Sequence, residues 1–169
     1  MNAMVTPAGG RLALLDWGKG ARLCAIGRAG IGVKRAEGDG MTPLGIHPVR
    51  RVLYRADRIA APATKLSLAA LAPDDGWCDA PGDGAYNTKI KRPYPASHEA
   101  LWREDALYDL LVVLGFNDDP VVPGKGSAIF LHVARPDYGP TEGCIALALG
   151  DLSALVAALQ PGDTVTITP

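Results

Sequence analysis

His132 and Cys144 lie twelve residues apart, at the end of one apolar run and the start of another. An imidazole beside a thiol can take the thiol proton during attack, or hold a thiolate as an ion pair. Either way the sulfur becomes a nucleophile able to form a thioester. Gly143 permits close backbone approach, so its N–H and that of Cys144 could face a developing oxyanion. Each residue also has a plainer reading. A single strand histidine is most often a packed core residue, and a single cysteine most often a small hydrophobe. The elements carrying the pair must decide between these readings.

Ser127–Ala134 (SAIFLHVA) reads as a buried strand in which side chains alternate by face. Ile129, Leu131 and Val133 share one face; Ala128, Phe130 and His132 share the other. His132 thus projects from the strand end beside Phe130. A turn-rich loop, Arg135-Pro-Asp-Tyr-Gly-Pro140, then returns the chain through Thr141-Glu-Gly-Cys144 into the apolar run Ile145–Leu149. Such a loop can bring the cysteine opposite the histidine on a neighbouring strand.

The remaining elements are mostly strands. Arg11–Trp17 and Ala21–Ile26, separated by Gly18-Lys-Gly20, predict a hairpin. Val49–Tyr54, Tyr108–Gly115 and Thr164–Thr168 predict further strands. Asp151–Leu159 carries Leu152, Leu155, Val156 and Leu159 at helical spacing, with Gly150 or Asp151 as its start and Pro161-Gly162 as its stop. Ser97–Asp105 predicts a second short helix with Ser97 as N-cap. Pro73–Pro95 reads as a long irregular loop, dense in Pro, Gly, Asp and Asn.

Composition narrows the classes. The 169 residues suit one domain, 48% are hydrophobic and 21% charged, and the mean hydropathy is +0.09. Gly and Pro, at 20 and 14 residues, argue against a long helical bundle. A net charge of −1 removes the basic footprint of a general nucleic-acid binder. No apolar run reaches a membrane span and no signal peptide is read at Met1–Gly10, so the sequence alone suggests the cytoplasm. Cys24, Cys78 and Cys144 show no C-x-x-C spacing, so neither a disulfide framework nor a metal site is expected. Gly124-Lys-Gly-Ser127 and Gly27–Gly32 match neither a phosphate loop nor a dinucleotide fingerprint, and neither G-x-S-x-G nor H-E-x-x-H occurs. Cys24 reads as core, Cys78 as a loop residue, and His47 as structural. Tyr108, Asn117, Asn87, His98 and Trp77 are candidates to line a cleft. Lys89, Lys91 and Arg92 form a charged face able to attract an anionic polymer.

His132 through Ile145 (HVARPDYGPTEGCI) resembles the signature of the L,D-transpeptidase catalytic domain, in which a strand histidine precedes a loop and a Ser/Thr-x-Gly-Cys. Thr141, Gly143, Cys144 and His132 match it. Gly38–Gly45 is similar to the family's Thr-Pro-x-Gly turn, Gly126–His132 to its catalytic strand, and Asp151–Ile167 to its closing segment. The resemblance runs from about residue 20 to the C-terminus.

It implies a mainly β, barrel-like or sandwich fold with one or two short helices. It also implies a cysteine acyl-enzyme mechanism on peptidoglycan stem peptides, in service of cell-wall construction and cell shape. Cys144 would be the nucleophile and His132 the base and acid, oriented by a backbone carbonyl such as that of Val133. Arg135, Thr141, Tyr108 and Asn117 are candidate substrate contacts. Arg135 would supply a charge that the family usually carries two positions after the cysteine, where Ala146 stands here. Glu142 occupies a position often held by His or Lys and is expected to raise the thiol pKa. No metal or organic cofactor is implied, the partner is peptidoglycan or a related D-amino-acid-containing peptide, and a monomer is expected. The family implies the periplasm or cell wall. A hydrolase using the same pair (an L,D-carboxypeptidase) and a non-catalytic binding module on the same fold are the alternatives.

Overall fold

The computed structural model describes residues 1–169. The chain opens with β1 (Asn2–Gly9), β2 (Leu12–Asp16) and β3 (Arg22–Ala25), then crosses the short pair β4 (Ile31–Gly32) and β5 (Thr42–Pro43) into the long β6 (Gly45–Tyr54). After β7 (Leu68–Ala70) come β8 (Asp75–Cys78), β9 (Lys89–Lys91) and β10 (His98–Ala100). Finally β11 (Leu110–Leu114), β12 (Phe130–Val133), β13 (Ile145–Leu147), α1 (Leu149–Ala158) and β14 (Thr164–Ile167) complete the chain.

The main sheet closes on itself. Its order is β11-β12-β13-β3-β2-β1-β14-β6-β7, and β6 also pairs with β11, which closes the ring and leaves the short β7 beside it. β6 can do both because it is ten residues long. Its first half, Gly45–Pro48, pairs with β14, and its second half, Val49–Tyr54, pairs with β11. Closure removes the unpaired edges that an open sheet would present.

Alternation along the strands builds two apolar regions. Ala3, Val5, Ala13, Leu15, Cys24, Leu131, Val133, Ile145, Leu147, Val165 and Ile167 form one interior cluster. Leu53, Leu111, Val113 and Phe130 point to the other side, where Trp77, Leu101 and Tyr108 cover them. A second sheet, β10-β8-β9, supplies part of that cover. This explains why β11 and β12 are apolar on both faces: each is sandwiched. α1 sends Leu152, Leu155 and Val156 into the interior cluster, and burial of each such side chain stabilises by about 1.5–3 kcal/mol.

The hairpin, the strands near 49–54, 108–115, 127–134 and 164–168, and the helix all form within a few residues of the predicted bounds. Three readings change. Ser97–Asp105 is no helix: His98–Ala100 pairs with β8, with Glu99 opposite Trp77. Pro73–Pro95 is not one loop, since it contains β8 and β9. α1 begins at Leu149, with Ala148 at its N-cap and no side-chain cap, so neither Gly150 nor Asp151 starts it.

Candidate active site

β12 and β13 run parallel, with Leu131 opposite Ile145 and His132 opposite Ala146. One step before β13, Cys144 therefore lies beside Phe130, and the Phe130 N–H donates to its Sγ at 3.3 Å. The thiol in turn donates to the Ala128 carbonyl at 3.1 Å. Ala128 sits in the left-handed region (φ 55°), which turns its carbonyl out of the strand register. Asn87 holds that bend. Its Oδ1 accepts the Ala128 N–H (3.0 Å) and the Trp77 Nε1–H (3.0 Å), while its Nδ2 donates to the carbonyls of Phe116 (2.9 Å) and Asn117 (2.8 Å).

His132 shares the outer face of β12 with Phe130. Its Nδ1 lies 2.9 Å from the Val133 carbonyl. A carbonyl only accepts, so Nδ1 carries the proton and Nε2 is left as the basic nitrogen. The Tyr108 ring meets the imidazole edge to face at 5.3 Å, and the Tyr108 hydroxyl donates to Glu99 Oε1. His132 and Cys144 line one cleft of about 450 Å³, together with Tyr108, Glu99, Arg135 and Thr141.

The loop before Cys144 is pinned from below. The Thr141 N–H donates to the Ile26 carbonyl and the Arg28 N–H to the Thr141 carbonyl. The Thr42 hydroxyl donates to the Gly143 carbonyl at 2.9 Å and accepts the Gly27 N–H at 2.8 Å. This is the structural use of the Thr-Pro turn near residue 42. The Thr141 hydroxyl donates to the Cys144 carbonyl at 2.6 Å and accepts the Gly143 N–H at 3.1 Å. Gly143 has φ +137°, and a Cβ there would stand 2.8 Å from the Met41 carbonyl, so no other residue fits.

The electrostatics favour a neutral pair. Burial pushes the Cys144 thiol up to about 12, with the Glu99 carboxylate adding to the rise and the Phe130 N–H and Lys34 opposing it. Burial also lowers His132 to about 4, against the opposing pull of the Val133 carbonyl. At neutral pH the site holds a thiol and an uncharged imidazole, so of the two chemistries open to the pair, proton transfer during attack is the one these environments suit.

Several candidate residues fall elsewhere than expected. The Gly143 N–H is occupied by Thr141, which leaves the Cys144 N–H, hydrogen-bonded to no protein group, as the free amide at the nucleophile. Asn117 does not line the cleft: its side chain is spent on Val122 and the Gly126 carbonyl. Thr141 and Tyr108 do line it, but their hydroxyls are engaged internally. Arg135 lines it with only the Pro140 carbonyl as partner, at 3.3 Å. Glu142 turns outward to Arg28 at 2.9 Å, so the carboxylate that raises the thiol is Glu99. Cys78 is fully buried, Trp77 packs on Phe130, and His98 lies by Tyr94, apart from the cleft. Lys89 and Lys91 are paired with Asp74 and Asp75. Cys24 and His47 are buried as expected.

Glu99, Asp79, Ser127 and Lys34 also face the cleft, and nothing local in the sequence marks them. No group of three or more His, Cys, Asp and Glu side chains is placed to hold a metal ion. No helix is long and apolar enough to cross a membrane.

Comparison with protein-family models matches residues 3–167 to YkuD, described as an L,D-transpeptidase catalytic domain. The match starts well before residue 20, where the motif resemblance begins, and takes in β1 and β2 of the closed sheet. No curated protein and no solved structure matches the chain.

Proposed function

The chain belongs to the YkuD family of L,D-transpeptidase catalytic domains, and from that premise we propose that it is a cysteine acyltransferase with Cys144 as nucleophile and His132 as base. The family acts on peptidoglycan peptides and is usually periplasmic or associated with the cell wall. Cys144 attacks the carbonyl that follows an L-centre in a tetrapeptide stem, and His132 Nε2 takes the thiol proton. The Cys144 N–H stabilises the oxyanion of the tetrahedral adduct. Collapse expels the terminal D-residue as an amine, which takes its proton from His132. A second amine then attacks the thioester, gives a proton to His132, and the thiolate leaves and is reprotonated.

The observation that carries this reading is the Nδ1–H bond of His132 to the Val133 carbonyl, 2.9 Å long, which leaves Nε2 free in the cleft that Cys144 also lines. At rest the thiol proton points to the Ala128 carbonyl, so attack requires Sγ–H to rotate toward the imidazole. Substrate-free sites often hold such bonds in a non-productive arrangement. Arg135 lines the cleft with no carboxylate paired to it, which supports a role for it in receiving the substrate's terminal carboxylate.

Incubation with a tetrapeptide muropeptide and an amine acceptor tests the proposal. Cross-linked dimer is expected from the native chain and none from Cys144→Ala. Release of the terminal residue without cross-linking would assign a hydrolase instead. Absence of both would contradict catalysis.

A further inference from the structure

A second cavity, of about 410 Å³, lies behind the catalytic cleft and shares no residue with it. Its size is that of a small-molecule site. The wall between the two is one contact deep. Asn87 and Phe130 line the second cavity. Ala128, whose N–H goes to Asn87 Oδ1 at 3.0 Å, and Cys144, whose Sγ accepts the Phe130 N–H at 3.3 Å, line the first.

The chemistry of this cavity is apolar with one spare cation. Trp77 and Phe130, edge to face at 5.1 Å, form an aromatic surface next to Val113 and Ile129. Asn87 has nothing left to offer a ligand, because its oxygen accepts two hydrogen bonds and its amide donates two. The charged side chains are Arg50, Arg51 and Asp118. Arg50 grips Asp118 with two bonds of 2.8 and 3.2 Å, whereas Arg51 is half-buried and pairs with no carboxylate. Alternation along β6 puts position 51 on the face of Leu53, where an apolar residue is the expectation. The strand is also bulged here. Val113 opposes Arg51 but Leu114 opposes Val49, so Arg50 is the extra residue. Bulges re-aim side chains, and both arginines line the cavity. A half-buried guanidinium beside an aromatic surface, without a counter-ion, lacks the partner that would compensate it.

We propose that this cavity is a second ligand site, for a small amphipathic monoanion. Its flat apolar body packs on Trp77 and Phe130, and its carboxylate or sulfonate pairs with Arg51. Two arginines and one aspartate leave a single positive charge to neutralise, so one acidic group suffices. A neutral molecule leaves Arg51 uncompensated, and a cation is repelled by it. The ligand packs on the residues that hold Ala128 and Cys144. It therefore keeps the thiol in its resting bond to the Ala128 carbonyl, 3.1 Å away, and slows its reactions.

Fluorescence titration of the full native chain tests the site with two probes. These are 8-anilinonaphthalene-1-sulfonate and N-phenyl-1-naphthylamine, which has the same rings and no sulfonate. One sulfonate probe should bind per chain, at least fivefold more tightly than the neutral one. Arg51→Met, which keeps an apolar stem, should cut that preference to twofold or less, and Arg51→Lys should restore most of it. Ser67→Trp, an exposed position lining the cavity, should weaken both probes. Arg135→Ala, in the catalytic cleft, should change neither. With the sulfonate probe saturating, iodoacetamide should modify Cys144 at least threefold more slowly, and Arg51→Met should lose that protection at the same probe concentration. Equal affinity of the two probes, or a sulfonate preference that follows Arg135 and not Arg51, would overturn the site. Binding that leaves the alkylation rate unchanged would overturn its link to the thiol. Iodoacetamide reports on the thiol whether or not it acylates, so these outcomes are separate from the acyl-transfer reading.

Discussion

Cys144 and His132 owe their uncharged resting state to burial, and that has two measurable consequences. The first concerns reactivity. Cys144 alone of the three cysteines lines a cleft, whereas Cys24 and Cys78 are fully enclosed. Iodoacetamide at neutral pH should therefore modify Cys144 first, and His132→Ala should slow that reaction about tenfold or more through loss of the base. Because the thiol is pushed up to about 12, the labelling rate should climb with pH and show no low-pH thiolate plateau. Labelling of all three cysteines at one rate would contradict this. The second concerns stability. An unfolded chain protonates His132 near 6.5, but the folded chain resists until about 4. As pH falls through that window the unfolded state gains a proton that the folded state refuses, so stability drops, by about 3 kcal/mol for this group. His47, also lowered by burial, pulls the same way. Denaturant titration at pH 7 and pH 4 should show a smaller loss for His132→Gln than for the native chain; an identical loss would contradict the assignment.

The elements around the pair act as a frame. Thr141 alone satisfies two backbone groups of the nucleophile loop. Thr141→Val keeps the shape and removes both bonds, so thermal and chemical unfolding should report a loss of about 1–3 kcal/mol, together with slower Cys144 labelling. Unchanged stability would show that the loop is held by Thr42 and the Ile26–Arg28 backbone alone. Much of this frame was legible in advance. The His132 face followed from strand alternation, and the loop to Cys144 followed from its turn residues, because both are local properties. The Ser97–Asp105 segment was misread because its cap and acidic residues mimic a helix start, while its actual partner, β8, lies twenty residues upstream and is itself only four residues long. The bracing role of Asn87, read only as a candidate to line a cleft, and the place of Glu99 were illegible for a related reason. Their partners, Ala128 and Tyr108, are brought to them only by tertiary closure.

At the scale of the whole molecule, the ring of strands is what fixes β12 and β13 side by side. β1 is central to it: it pairs in parallel with β14 and antiparallel with β2. This strand was not legible in the sequence, since Pro7 and Gly9-Gly10 read as turn residues beside only a short apolar stretch, yet Ala3 and Val5 are fully buried. Removal of residues 1–10 should open the ring between β2 and β14 and leave two bare edges. Size-exclusion chromatography should then show aggregate in place of a single species; a soluble, cooperatively melting truncation would contradict the closed-ring description.

Catalysis by Cys144 is tested most directly by acid-quenched mass spectrometry of the protein mixed with a tetrapeptide stem. The expected result is an added mass equal to the acyl fragment after loss of the terminal D-residue. It should map to Cys144, be absent in Cys144→Ala and accumulate at least tenfold more slowly in His132→Ala. An adduct on Cys24 or Cys78, or product formed by the Cys144→Ala chain, would contradict it.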